Sequence, residues 1–426
     1  MITLIVLAFS ITFLLGVPIA LVLGITGFVC ILAMGVPLQV VTQRMFTGID
    51  SFPLMAVPFF ILAGELMNRG GTTIRIIRFA NSLVGHIKGG LAHSNVVANM
   101  FFAGISGSAI ADASAIGSIL IPAMEKSGYE KDFSAALTAA AATIGPIIPP
   151  SIIMVIYGVS VGVSIGGLFA AGFIPGVLLG LAMMFTIFLE SRTRNYPIVE
   201  SFSLIRVWKE FKGAFWALLS PLIILGGILF GVFTPTEAAA VAVVYSFIVG
   251  KFIYRELKWR DIPQVLLQSG ITVASILLII SMANVFAWVI AANLIPQKIA
   301  SAFLAFSHNK YIFLLFVNIF LLVVGMFMET GAAIIILAPI LAPIAAKMGV
   351  HPLHFGFMMV LNLAIGMVTP PVGVCLFVSC GITGLSLEKV SAAVYKFVIA
   401  EIFVLALVTY FEPISMFLPK LLGFIR

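Results

Sequence analysis

Between Asp132 and Glu190 the chain runs for 57 residues, Phe133 to Leu189, without a charged side chain. One helical crossing of a bilayer core takes about 20 apolar residues, so this stretch alone must cross about twice. Similar runs recur at Met1 to Gln43, Ile262 to Gln297 and Met348 to Leu387, the last broken only by His351 and His354. The 426 residues are 62% hydrophobic and 9% charged, against roughly 45–50% and about 25% in soluble domains. A soluble globular fold is excluded. The expected class is an all-α polytopic membrane protein, since the alternating strands of an outer-membrane barrel do not occur in the pattern.

The net charge of +7 comes from basic residues that lie mostly in short loops, which points to membrane topology and not to a nucleic-acid partner. The densest are Arg69 to Lys88, Arg192 to Lys212 and Lys251 to Arg260, and the positive-inside rule places them in the cytoplasm. Two apolar segments, Ala214 to Val232 and Thr236 to Gly250, return the chain between the last two. Trp208, Trp216 and Trp259 lie in or beside these segments, as interfacial anchors do. Cys30, Cys375 and Cys380 have no metal or disulfide spacing and read as packing residues. No cleaved signal is expected, because no basic flank precedes the first apolar run. Met1 to Gly35 reads equally as one broken helix or as two short ones around Gly16-Val17-Pro18.

Two apolar stretches have lengths that fit neither one span nor two. Leu91 to Ala123 would make about 50 Å of helix against a core of about 30 Å. Its middle, Gly104-Ile105-Ser106-Gly107-Ser108, continues a helix poorly. The economical form is a re-entrant hairpin with a small polar tip near mid-membrane. Tyr311 to Ala346 repeats the form around Gly325, Glu329, Thr330 and Gly331. Each hairpin is followed by an apolar segment interrupted at Gly145-Pro146-Ile147-Ile148-Pro149-Pro150 or Gly366-Met367-Val368-Thr369-Pro370-Pro371. Paired prolines remove amide donors and unwind a helix locally, so two discontinuous helices are expected.

A shift of 221 residues superposes these features without a gap. Eleven of the 47 positions from Gly104 to Pro150 are then identical, six of them Gly or Pro. The cytoplasmic basic segments bring the first hairpin in from inside and, after one further span, the second from the opposite face. An inverted repeat with paired broken helices marks a secondary transporter whose ligands bind at the breaks.

Unwound backbone frees carbonyl oxygens that, with tip hydroxyls, can hold a hard monovalent cation. The candidate first site is Gly104, Ser106, Gly145, Ile148 and Pro149; the second is Gly325, Met328, Gly366 and Thr369. Helix N-termini at the tips offer amides to an anion, which favours an organic acid as solute. Ser108, Asp112, Glu329 and Thr330 are the candidate substrate contacts. Asp112 and Glu329 read equally as caps or structural bonds of the second hairpin arms. Glu65 is expected at the interface, and Asn284, Asn293, Asn318 and Asn362 as glue between helices or as binding groups.

Gly231-Val232-Phe233-Thr234-Pro235-Thr236-Glu237-Ala238-Ala239-Ala240 closely resembles a signature of the large membrane subunit of tripartite ATP-independent periplasmic (TRAP) transporters, the DctM-like family. Gly107-Ser108-Ala109-Ile110-Ala111-Asp112 and both Gly-to-Pro-Pro breaks resemble that family's motifs in the same order, across essentially the whole chain. The resemblance implies an elevator-type transporter of the bacterial inner membrane, coupled to Na⁺ and free of organic cofactors. Its implied partners are a small four-helix membrane subunit and a periplasmic solute-binding protein. Family solutes include C4-dicarboxylates and sialic acids, with a lean toward sialic acid. On this basis 88–166 and 311–386 form the halves of the moving domain, while 1–87, 167–310 and 387–426 supply scaffold and arm helices.

Three alternatives compete. One is a stand-alone ion-coupled anion transporter; another is a channel or assembly subunit. An intramembrane serine protease would use Ser106 in a Gly-x-Ser-Gly pattern, but His86, His93, His308, His351 and His354 all fall near segment ends, away from a mid-membrane serine. No Gly-rich loop with Lys-Ser or Lys-Thr supports an ATP-driven cycle. Cysteines placed at Arg194 and Lys258 should react with impermeant thiol reagents from the cytoplasmic face only, and one at His308 from the opposite face only. Labelling of all three from one side would refute the inverted repeat.

Overall fold

The computed structural model describes residues 1–194, 196, 201–306 and 309–425; His308 lies outside them. Every regular element among the described residues is helical. Seven helices are long and apolar enough to cross a bilayer, and the pair Gln39–Ile49 and Phe52–Arg69, bent by 61°, makes an eighth if taken as one span. The N-terminal run forms two helices, Ile2–Leu14 and Ile19–Ala33. Gly16 turns between them in the left-handed region at φ +74°, a conformation that costs glycine least.

The basic segments are more helical than loops. Arg69 to Lys88 contains the helix Thr72–Val84, with Ile76, Ile77, Phe79 and Ala80 buried and Arg78 exposed. Its charges stand on the far side of an apolar stripe, so they are compatible with a helix lying along the protein. Arg75 pairs with Glu256 at 2.6 Å and covers the Tyr254 ring at 3.9 Å, joining two of the basic segments. The helix Leu204–Leu229 likewise absorbs Trp208 and Lys212. Near it, Tyr196 Oη donates to Glu130 at 2.5 Å and Arg194 pairs with the same carboxylate at 2.9 Å. Burial opposes ionisation of Glu130, but these two partners outweigh it and hold the carboxyl below its ordinary range.

Both hairpins are present, with tighter tips than the sequence implies. The first has arms Gly90–Ser106 and Ala109–Lys126, the second Lys310–Phe327 and Thr330–Lys347. Only Gly107 and Ser108, or Met328 and Glu329, interrupt the helices. Gly104 remains helical, and its bare Cα faces Pro221: an added Cβ would stand 2.9 Å from the proline Cβ. The first broken helix comprises Lys131–Ala142 and Ile152–Val161, and the second Pro352–Gly366 and Val374–Thr383.

The 221-residue relation holds atom by atom at the caps. Ala111 N donates to Ser108 Oγ, and its repeat mate Ala332 N donates to Glu329 Oε2. Gly128 and Gly349, which follow the two hairpins, share left-handed φ values of +89° and +79°. The halves interlock: Ile152–Val161 packs on the second hairpin arm Thr330–Lys347, and Val374–Thr383 on the first hairpin arm Ala109–Lys126. Ile165–Arg194 and Leu387–Tyr410 pack on each other, and respectively on Gly90–Ser106 and on Lys131–Ala142. A second group surrounds Ile262–Ala292, which packs on Ile19–Ala33, Gln39–Ile49 and Ala56–Arg69.

Buried asparagines join helices. Asn362 Nδ2 donates to Asn318 Oδ1 at 2.7 Å, and Asn318 Nδ2 to Thr409 Oγ1 at 3.1 Å. Asn293 bonds back to its own helix at Val289 O. The free cysteines are packed, Cys30 and Cys375 fully and Cys380 partly. Replacing Asn362 with Leu should lower stability by about 1 kcal/mol, the scale of an interhelical hydrogen bond in a membrane. Thermal unfolding in detergent reads this directly, and an unchanged midpoint would remove Asn362 from the load of the fold.

Candidate functional site

The site begins with backbone that has left its helix. After Ala142 the first broken helix loses its regular ladder at Thr143 to Pro150, where three prolines supply no donor. Ser151 restarts it: its Oγ donates to Pro146 O at 2.6 Å and caps Met154 N at 3.3 Å. In the second break Thr369 Oγ1 donates to Ile365 O at 2.8 Å, and Gly373 N reaches across to Met326 O of the hairpin at 3.3 Å.

Each hairpin tip meets the break of its own half. A Cβ on Gly107 would lie 2.8 Å from Pro150 O, and one on Gly104 would lie 3.6 Å from Pro149 O. A Cβ on Gly366 would lie 2.5 Å from Gly325 Cα, closer than real side chains approach backbone. These glycines are therefore needed for contact between backbones. The structure thus brings Gly104, Ser106, Gly145 and Pro149 into one neighbourhood, and Gly325 with Gly366 into another. Ile148 is buried beside Gly176, its amide bonded to Ile144 O. Met328 is the residue that leaves the first arm of the second hairpin.

Asp112 belongs to the first neighbourhood and not to an open cavity. It is fully buried, accepts a hydrogen bond from Ser106 Oγ through Oδ1, and points Oδ2 at Gly145, 2.5 Å from where a Cβ would be. That Oδ2 has no hydrogen-bond partner among the described residues. Ser108, and not Asp112, caps the arm; Glu329 caps the equivalent arm. Ser106 is thus engaged by a carboxylate, with no histidine hydrogen-bonded to it among the described residues.

Between the tips lies a cavity of about 330 Å³, within the range of small-molecule sites. Ser106 to Ala111 line it from the first hairpin, Glu329 and Thr330 from the second, and Pro146 and Met367 from the breaks. Ala56–Arg69 contributes Glu65 and Asn68, and Ile262–Ala292 contributes Thr272 and Ile276. Glu65, expected at the interface, lines this cavity. Glu65 and Asn68 lie within two turns of Arg69, and Thr272 in the first half of its helix, so the cavity extends toward the ends of these helices that carry the basic segments. Thr272 and Ser114 gave no motif to the sequence reading. Glu401 did give a signal, as the one charged residue between Phe397 and Tyr410; its Oε1 is 2.8 Å from Thr143 Oγ1.

Paired hairpins and broken helices around a central cavity define a multi-pass secondary transporter, and not an enzyme. The model of the tripartite ATP-independent periplasmic transporter DctM component matches residues 5–414, and the chain belongs to that family of bacterial inner-membrane permeases. It is 40% identical, over 96% of both chains, to the C4-dicarboxylate TRAP transporter large permease protein DctM of Rhodobacter capsulatus. It is 41% identical, over 89% of both, to the sialic acid TRAP transporter large permease protein SiaM of Vibrio cholerae. The solved YdaH transporter of Alcanivorax borkumensis shares the fold, with a TM-score of 0.64 over 88% of each chain at 12% identity. A cysteine at Thr272 should react with an impermeant thiol reagent from the cytoplasmic face in this conformation. Reactivity from the opposite face alone would reverse the orientation of the cavity.

Proposed function

We propose that the chain imports an organic acid anion with Na⁺, taking the solute from a periplasmic binding protein and working beside a small four-helix membrane subunit. The observation that carries this reading is the charge of the cavity. Its lining holds two carboxylates, Glu65 and Glu329, and no Lys, Arg or His. An acid anion gains little there from side chains, so its charge must be met by cations and by amides at the N-terminal ends of Ala109–Lys126 and Thr330–Lys347. Cations held beside the tips supply that charge, and this makes anion binding depend on them. Gly104, Ser106, Gly145, Ile148 and Pro149 would ligate one ion, with Asp112 Oδ2 as its counter-charge; Gly325, Met328, Gly366 and Thr369 would ligate the other. The relatives named for C4-dicarboxylate and sialic acid support an organic acid as the solute class.

The moving body in this reading contains both hairpins and both broken helices. Ile165–Arg194 and Leu387–Tyr410, which pack against it, would move with it, and the group around Ile262–Ala292 would supply the scaffold, a narrower division than all of 167–310 and 387–426. Uptake into proteoliposomes, with the small subunit and candidate binding proteins, should require an inward sodium gradient. Ser106→Ala and Thr369→Ala each remove a hydroxyl from one shell and should weaken apparent sodium affinity about tenfold, on the scale of one lost polar contact. Undiminished uptake without a cation gradient would sink the coupling. Uptake without a binding protein would favour the stand-alone transporter.

A further inference from the structure

Glu401 sits fully buried in Leu387–Tyr410, at a depth where an unpaired charge is costly. Such a group is tolerated when paired, bound to a cation, or neutral. None of the ion pairs among the described residues involves it, and its Oε2 has no hydrogen-bond partner among them. Its contact is Thr143, the residue that ends Lys131–Ala142, where the helix dipole presents partial negative charge.

Protons can be counted at this contact. Thr143 Oγ1 is 2.8 Å from Glu401 Oε1 and 2.7 Å from the carbonyl oxygen of Ala140. Both are hydrogen-bond distances. A carbonyl brings no proton, a hydroxyl brings one, and an ionised carboxylate brings none. With a carboxylate, one proton would have to serve two short contacts. The count closes when Glu401 donates its own proton to Thr143 Oγ1 and Thr143 donates to Ala140 O. A metal ion in the same place would need several oxygens around it, and the one side-chain oxygen hydrogen-bonded to Glu401 among the described residues is that of Thr143.

Other titratable groups do not replace that proton. On its own helix, Lys396 is bonded to Glu190 of Ile165–Arg194, while Glu388 and Lys389 lie at the far start. Arg194 is held by Glu130 and Glu190, and Arg192 covers Phe188. Lys131 and Asp132 begin the half-helix that Thr143 ends. His354 of Pro352–Gly366 bonds Ser415 and Thr409 O, two turns beyond Glu401, with His351 at the same end. Glu412 and Lys420 belong to the C-terminal Pro413–Leu421 and its cap. In Val374–Thr383, Cys380 is near the end and Cys375 is the group within electrostatic reach of Glu401; a thiol brings no positive charge.

We propose that Glu401 is a proton-binding site on the first broken helix, distinct from the cation shells at the tips. The repeat mate of Thr143 is Ala364, so the site belongs to the first half alone. Loss of its proton places a bare charge at the end of the half-helix next to the break, which gives the transporter a pH response separate from that of the cation shells at the tips.

Infrared spectra of the full-length chain in lipid nanodiscs, wild type minus Glu401→Gln, test this near neutral pH. The expected difference is a protonated-carboxyl carbonyl band that the variant lacks. A difference made only of ionised-carboxylate bands overturns the proposal. Thermal unfolding gives an independent reading, because glutamine is a neutral near-isostere of the protonated acid. An unfolded glutamate ionises near pH 4.3, so if the folded protein keeps the proton, wild-type stability falls relative to the variant as pH rises above about 5. The midpoint difference should drop by several degrees by about pH 8. A flat or rising difference shows that the charged form is the native one, and a variant that does not fold shows that a neutral isostere cannot take the residue's place; either outcome refutes the site.

Discussion

Everything in this fold answers to one requirement: backbone amides and carbonyls in the hydrocarbon layer must find partners inside the protein. Four interruptions of helix lie at that depth, two tips and two breaks, and each would be intolerable facing lipid. They are tolerated because they face one another. Gly373 N reaches Met326 O, Gly366 lies against Gly325, and Gly107 lies against Pro150. The same arrangement gathers the exposed carbonyls, hydroxyls and helix ends of a polytopic protein into one place. A cavity at the meeting of tips and breaks is thus a consequence of satisfying the backbone before it is a device for binding.

The backbone is duplicated, but the chemistry on it is not. At the 221-residue offset, Ser106 corresponds to Phe327, Asp112 to Ala333 and Thr143 to Ala364. The buried carboxylate and hydroxyl partners therefore cluster on the first half, while the second relies on Thr330, Thr369 and the close glycine pair. Only the cap position keeps its role across the change from Ser108 to Glu329, because an oxygen acceptor at a helix start is all that position demands. Glycine and proline positions survive duplication since they set backbone shape. Side-chain groups are free to diverge once the shape is secured.

That division explains what could be read from the sequence. Hairpins, breaks and their repeat were legible because glycine and proline act locally, through φ and a missing donor. The turn at Gly16 was visible but its outcome was open, since one Gly-Val-Pro run permits either a kink or two helices. The helix Thr72–Val84 was hidden by counting its arginines as loop, when the stripe of Ile76, Ile77 and Phe79 beneath them was the better guide. The place of Glu65 in the cavity wall was not legible because its distance from Arg69 along the chain says how deep it lies, not which way it faces. Glu401 had a clear local signal, a lone charge in an apolar run, but its partner Thr143 is 258 residues away and only the packing of the C-terminal helix reveals it.

The same contacts bear on how such a molecule could expose its cavity to each side in turn. A hairpin that swung open by itself would pull Met326 O from Gly373 N and separate Gly325 from Gly366, leaving backbone groups unpaired in a dry interior at a cost of about 1–3 kcal/mol for each. A body that moves with hairpins and breaks together keeps every one of those contacts. What it must slide past is the wall formed by Ala56–Arg69 and Ile262–Ala292, where the cavity is lined by Ile61, Gly64 and Ile276 beside Glu65, Asn68 and Thr272. Small and apolar contacts of that kind carry few directional bonds to break. In the proposed cycle the cheaper motion is therefore of the whole unit against that wall, because hydrogen bonds hold the unit together and mainly van der Waals contact joins it to its surroundings.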